Sequence, residues 1–183
     1  MKKVLSVLCV IIAFFIVYFL QINFFSWFNI AGVKPNLFIL LTLFVGLFMD
    51  KRIAAVLGFI MGIYLDILTA KQVGISAIVF TFLGYICGFL DNRFSKDSKL
   101  TIMLMVIAST FVYEVIVYIY LSISNNVSLD VLGFLRILGI ELLFNGLLTI
   151  ILYPIIRDLG DICERIFNEK KVGLSYIMSS YNS

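Results

Sequence analysis

Residues 53–90 read IAAVLGFIMGIYLDILTAKQVGISAIVFTFLGYICGFL. Two apolar runs, 53–68 and 74–90, flank one short break at Ala70, Lys71 and Gln72. Each run carries glycines four apart: Gly58 and Gly62 in the first, Gly84 and Gly88 in the second. The first stripe continues at the same spacing to Asp66. Residues four apart share a helix face, and a Gly-x-x-x-Gly face lets two backbones approach closely. The stretch therefore predicts two consecutive membrane helices, tightly packed at the centre of the fold, with these five residues at a packing or partner interface.

The rest of the chain has the same character. Of its 183 residues, 62% are hydrophobic and only 14% are charged, and the mean hydropathy is +1.11. Soluble domains run at about 45–50% apolar and about 25% charged, so this composition excludes an ordinary soluble enzyme. It also excludes a disordered chain, which would be poor in apolar and aromatic residues; here there are 18 phenylalanines. An all-α integral membrane protein remains.

A spanning helix needs about 20 mostly apolar residues. Six blocks qualify or nearly so: 4–22, 36–49, 53–68, 74–90, 100–122 and 132–156. The second is short, and residues 28–33 just before it would lengthen it. Turn and charge signals fill the breaks. With the N-terminus cytoplasmic, eleven basic residues fall inside: Lys2, Lys3, Lys51, Arg52, Arg93, Lys96, Lys99, Arg157, Arg165, Lys170 and Lys171. Two, Lys34 and Lys71, fall in outer loops, and Arg136 lies within the sixth span. This bias predicts both termini on the cytoplasmic side of a cell membrane. The first block is longer than a signal-peptide core and has no small-residue cleavage site after it, so it reads as an uncleaved helix. Trp27 lies just beyond it, at the level of an outer aromatic belt. Residues 1–156 thus form the membrane domain. After Pro154, Ile155, Leu159, Ile162, Cys163, Ile166 and Phe167 recur at helical spacing, opposite Arg157, Asp158, Asp161, Glu164 and Arg165. Residues 157–183 read as a cytoplasmic amphipathic helix on the membrane surface, with a mobile Ser- and Asn-rich tail after Gly173.

Several chemistries are excluded. There is no histidine, so a His base, a Ser-His-Asp arrangement and His-ligated zinc are impossible. Cys9, Cys87 and Cys163 form no CxxC pair; Cys9 and Cys87 read as small apolar fillers. No basic cluster suggests nucleic acid. The sequence offers no catalytic, cofactor-binding or metal-ligating set.

Ionisable residues inside spans are functional candidates by default. Asp66, Glu114, Arg136 and Glu141 all fall in the outer half of their helices. Glu141, Asn145 and Thr149 share one face, and Thr110, Glu114 and Tyr118 share another. These stripes predict a polar helix–helix seam or a water-lined cavity. The expected buried polar cluster is Asp66, Glu114, Arg136, Glu141 and Asn145, with Arg136 neutralising Asp66 or Glu114. Fixing helix packing is its simplest role.

The stretch 34–90 resembles the rod shape-determining protein MreD family. The resemblance rests on Lys34-Pro35-Asn36-Leu37 opening a span, on Gly58-Phe-Ile-Met-Gly62-Ile-Tyr-Leu-Asp66-Ile-Leu68, on Gly74-Ile-Ser-Ala, and on Gly84-Tyr-Ile-Cys-Gly88. Asn36 stands where that family commonly carries an acid. The resemblance implies a non-enzymatic membrane scaffold of bacterial cell elongation. Its implied partners are MreC, which has one span, and, directly or indirectly, the actin-like MreB, RodA and a class B penicillin-binding protein of peptidoglycan synthesis. It also implies a fold like the S subunits of energy-coupling-factor vitamin transporters, and such a substrate-binding subunit is the alternative reading. Those subunits often carry Ala-x-x-x-Ala in the first span, where this chain has Cys9-x-x-x-Ala13. A membrane enzyme would need HExxH, paired aspartates or a Ser/Lys dyad, and no such motif appears.

Overall fold

The computed structural model describes residues 2–48, 51–69, 74–90, 98–124 and 130–181; for 2–7, 9, 26, 156 and 161–181 it describes the backbone alone. The described residues form helices and no strand longer than an isolated bridge. In chain order these are α1 (Lys2–Phe19), α2 (Leu37–Phe48), α3 (Lys51–Thr69), α4 (Ile75–Leu90), α5 (Lys99–Ser124) and α6 (Val131–Tyr181). α1 runs on through a π-helical turn, Leu20–Phe24, and one last α turn, Phe25–Trp27. Each helix falls on one of the apolar blocks. Three segments are long and apolar enough to cross a membrane: Lys51–Thr69, Lys99–Ser124 and Val131–Ile155. Val10–Phe24, Leu37–Phe48 and Ile75–Leu90 are shorter apolar helices.

The centre of the molecule is α2. Every residue of it except Leu41 is buried, and it packs against all five other helices. A helix apolar all round has no face for water and must be enclosed. Phe38, Leu43 and Leu47 anchor the core with Phe80 of α4 and Val106 of α5. The expectation that the third and fourth blocks hold the centre is half right. They are the most intimate pair, but they flank α2.

The glycine faces explain that intimacy. A Cβ on Gly58 would strike the Phe80 carbonyl, and one on Gly62 would strike the backbone of Ala77. A Cβ on Gly84 would lie 2.6 Å from the Ala54 oxygen, and one on Gly88 would lie 2.6 Å from the Lys51 Cα. These contacts run antiparallel along the whole of α3 and α4. Cys87, buried as expected of an apolar filler, faces Gly46 of α2; the Cys9 side chain lies outside the described residues.

Residues 28–33 do not lengthen α2. Ile30 and Val33 exchange backbone hydrogen bonds of 3.1 and 3.0 Å around a tight turn, with φ of 53° at Ala31 and 82° at Gly32. Positive φ at both central residues defines a mirror-image turn, where glycine carries no steric penalty. Pro35 then disfavours helix at Lys34. At 12 residues, α2 is about 18 Å long. That is shorter than the ~30 Å of hydrocarbon a spanning helix crosses.

α6 runs as one continuous 51-residue helix, with Pro154 inside it, from the sixth apolar block through the expected amphipathic segment. Its backbone remains helical past Gly173, where the sequence predicts a mobile tail. Such a helix is about 77 Å in contour, against about 30 Å of hydrocarbon, so much of it extends beyond the core of any bilayer. Gly160 packs under the Phe48 ring at the end of α2. The expected amphipathic face from Asp161 onward lies outside the described side chains.

Candidate functional site

The loop before α2, the C-terminus of α3, the N-terminus of α4, the second half of α5 and the start of α6 meet at one end of the bundle. Lys51, Arg52, Lys99 and Arg157 mark the opposite end. There Lys51 Nζ lies 5.6 Å from the Tyr85 ring and Lys99 Nζ 5.6 Å from the Tyr153 ring, both within cation–π range.

Two short helices begin inside this region, so their first N–H groups have no preceding turn to bond. In an apolar surround each unmet donor is costly, and side chains meet them. Asp66, at the end of the glycine face of α3, caps α4. Its carboxylate accepts the Gly74 N–H at 2.7 Å, the Ser76 N–H at 3.2 Å and the Ala77 N–H at 3.4 Å. Gly74 presents its N–H from a φ of 113°, a conformation other residues rarely adopt. Negative charge at a helix N-terminus is favoured by both hydrogen bonds and dipole.

Three side chains cap α2. Asn36 is its own N-cap, its Oδ1 accepting the Ile39 N–H at 3.4 Å. The Asn36 N–H donates to Asn145 Oδ1 of α6 at 2.9 Å. The Leu37 N–H donates to Gln21 Oε1 at 3.0 Å, while Gln21 Nε2 donates to the Pro35 carbonyl at 2.8 Å. The π turn of α1 contains Gln21. Asn36 thus supplies a side-chain acceptor for the first turn of α2.

The polar stripes of α5 and α6 do meet. Asn145 Nδ2 donates to Thr110 Oγ1 at 3.0 Å, and Thr149 Oγ1 donates back to the Asn145 carbonyl at 2.6 Å. Asn145 is fully buried. Tyr118, third in the α5 stripe, instead stacks on Phe134 with ring centroids 4.1 Å apart, and its buried hydroxyl has no hydrogen-bond partner among the described residues.

Above the capped ends lies a cavity of about 290 Å³. Asp66, Glu114 and Glu141 all line it. The three expected carboxylates thus line one cavity, whereas Asn145 does not line it and bonds Asn36 and Thr110 instead. Arg136 is not part of it. That residue is exposed and does not line the cavity, a correction to the expected pairing with Asp66 or Glu114. Arg136 stands five residues into α6, about 7.5 Å from its start. Its side chain is on the exposed side of α6, away from the cavity. The basic residue at the cavity is Lys34, which the sequence presents only as a loop charge. Three further cavity residues escape sequence reasoning: Gln21, Ser76 and Tyr113. Ser76 Oγ and Tyr113 OH share a hydrogen bond of 2.9 Å. A glutamine closing an apolar run is the one available signal; nothing local distinguishes Ser76 or Tyr113.

Among the described residues no group of three acidic, Cys or His side chains is close enough to hold a metal ion. The arrangement is a capped, polar-lined end of a helix bundle, and its visible work is to hold helix ends together.

A family model for the rod shape-determining protein MreD matches residues 1–161. The chain belongs to the MreD family. Membership implies a role in rod shape determination, and the family is one of membrane proteins that shape cells. No curated protein and no solved structure matches the chain. Within the MreD match lie all six apolar helical segments, both glycine faces and every cavity residue.

Proposed function

We propose that this MreD-family chain is a non-enzymatic, six-span scaffold of the cell-elongation machinery, with both termini cytoplasmic, acting in lateral peptidoglycan synthesis by binding MreC. MreB, RodA and a class B penicillin-binding protein join directly or through MreC. The observation that carries this reading is the family match over nearly the whole membrane region. The alternation of helix ends adds to it: Lys51, Arg52, Lys99 and Arg157 gather at one end, as a positive-inside arrangement requires. A rigid scaffold also suits the chain's architecture, with a central helix enclosed on all sides and a glycine zip beside it. The exposed glycine-free flank of α1, with Leu8, Ile12, Phe15 and Phe19 outward, suits contact with lipid.

Two measurements test the proposal. Sidedness reporters fused after Ser98 and Ser183 should read cytoplasmic, and one at Asn126 extracytoplasmic; a cytoplasmic Asn126 overturns six spans. Affinity purification of the chain from native membranes should recover MreC in a stable complex. Its absence, with the chain intact and rod shape unaffected by deleting it, overturns the scaffold role.

A further inference from the structure

Among the described residues, each helical glycine except Gly139 has a neighbour within 4 Å of the place a Cβ would take. Gly139 faces open space from an exposed position on α6. Arg136 lies nearly one turn before it on the same side, is exposed, and makes no hydrogen bond or ion pair with any described residue. Both fall within Val131–Ile155, a segment long and apolar enough to cross a membrane. Leu132, Leu143, Leu147 and Ile150, each at least half exposed, join them at three- and four-residue intervals in one outward seam. Glycine inside a helix costs about 1 kcal/mol relative to alanine, and a charge within a span is expensive unless it is paired. No described residue of the chain offsets either cost. Lipid tails gain nothing from a bare backbone, whereas a second helix gains close approach. A second copy of this chain does not fit the seam. Copies insert with one orientation, so a two-fold pairing through the seam would set Arg136 against Arg136 at one depth.

We propose that this seam of α6 docks a transmembrane helix of a different protein, which crosses at Gly139 and presents an Asp or Glu carboxylate to Arg136. The guanidinium supplies charge and a fork of donors that matches a carboxylate. The glycine lets the two backbones approach, and the leucines pack along the rest of the contact. The inference deepens the scaffold reading and rests on it, because it gives that scaffold a partner-facing surface.

The test is photo-crosslinking of the full-length protein in native membranes, with p-benzoylphenylalanine placed at Leu143 on the seam or at Ile137 off it. Mass spectrometry identifies the adducts. The Leu143 probe should capture a transmembrane segment that carries an Asp or Glu within one turn of the depth of Arg136, and the Ile137 probe should not. Added to the Leu143 probe, Gly139→Leu and Arg136→Leu should each lower the yield per folded chain by about tenfold, equivalent to about 1.4 kcal/mol. Gly139→Leu meets no neighbour within the chain, so it keeps the test decisive should Arg136→Leu fold poorly. Arg136→Glu should abolish capture, and an arginine in place of the captured helix's acid should restore it. Adducts only with lipid or with a second copy, a captured helix without an acid, equal capture at Ile137, unchanged yields in the folded variants, or failure of the charge swap overturns the proposal. Absence of any protein adduct at Leu143 overturns the seam even where affinity purification recovers a partner, so the seam and the scaffold reading fail separately.

Discussion

Gly62 of α3 and Ala77 of α4 meet backbone to backbone. A Cβ on Gly62 would fall on the Ala77 Cα and amide nitrogen and on the Ser76 carbonyl. Backbone atoms of a helix cannot move aside as a side-chain tip can, so the contact admits only hydrogen. One turn further along α3, Asp66 reaches the amide of that same Ala77. Packing and capping of α4 are thus adjacent steps on one helix face.

Gly62→Leu should force the two helices apart. Overpacking of a tight core costs about 1–3 kcal/mol, occasionally more, and here the obstacle is backbone. We expect sharply reduced membrane protein and a lower heat-aggregation midpoint in detergent. Gly139→Leu is the control, since nothing lies within 4 Å of a Cβ there and leucine is the better helix former. Equal levels for the two variants would contradict the zip.

Asp66→Ala removes the acceptor for three amides. Loss of an N-cap costs about 0.5–2 kcal/mol, and each buried donor left unmet adds about 1–3 kcal/mol. Asp66→Asn keeps one carbonyl oxygen and should fall between. Amide hydrogen exchange at Gly74, Ser76 and Ala77 should quicken in the order wild type, Asn, Ala. Unchanged exchange in Asp66→Ala would show that the carboxylate does not cap α4.

Asn145 serves two helices through opposite ends of one amide. Asn145→Asp keeps the acceptor for Asn36 but loses the donor to Thr110; Asn145→Leu loses both. Stability should fall further in the second. In a double-mutant cycle with Thr110→Val, the Asn145→Asp change should show a coupling of about 0.5–1.5 kcal/mol. Additive effects would mean that the 3.0 Å bond contributes nothing.

Arg136→Leu should be tolerated, because an exposed side chain away from special features moves stability by about ±0.5 kcal/mol. Combined with Asp66→Asn it should be additive to within about 0.3–0.5 kcal/mol. A buried ion pair would behave otherwise, since removing one partner costs about 3–5 kcal/mol. Denaturation midpoints of the two single variants and the double variant distinguish these cases.

The helical segments, the close approach of α3 to α4 and the meeting of the α5 and α6 stripes are all written locally. Apolar run length reports what can lie in lipid, and a spacing of four residues reports what shares a helix face. Both properties belong to a single segment, so the chain determines them before it folds. Which helix lies at the centre, which base stands at the cavity and which side chains cap a buried helix end depend on neighbours far along the chain. Gln21, Asn36 and Asn145 converge on one helix terminus from positions up to 124 apart in number (145 − 21). Arg136 and Lys34 illustrate the limit most clearly. Depth along a helix puts Arg136 among the carboxylates, yet its direction around the axis leaves it exposed and off the cavity. Lys34 lies in a loop with no periodicity to read, and only the turn at Ala31 and Gly32 brings it to the rim. Rotation about a helix axis and the path of a loop are set by packing against other segments, and that is information the tertiary structure alone holds.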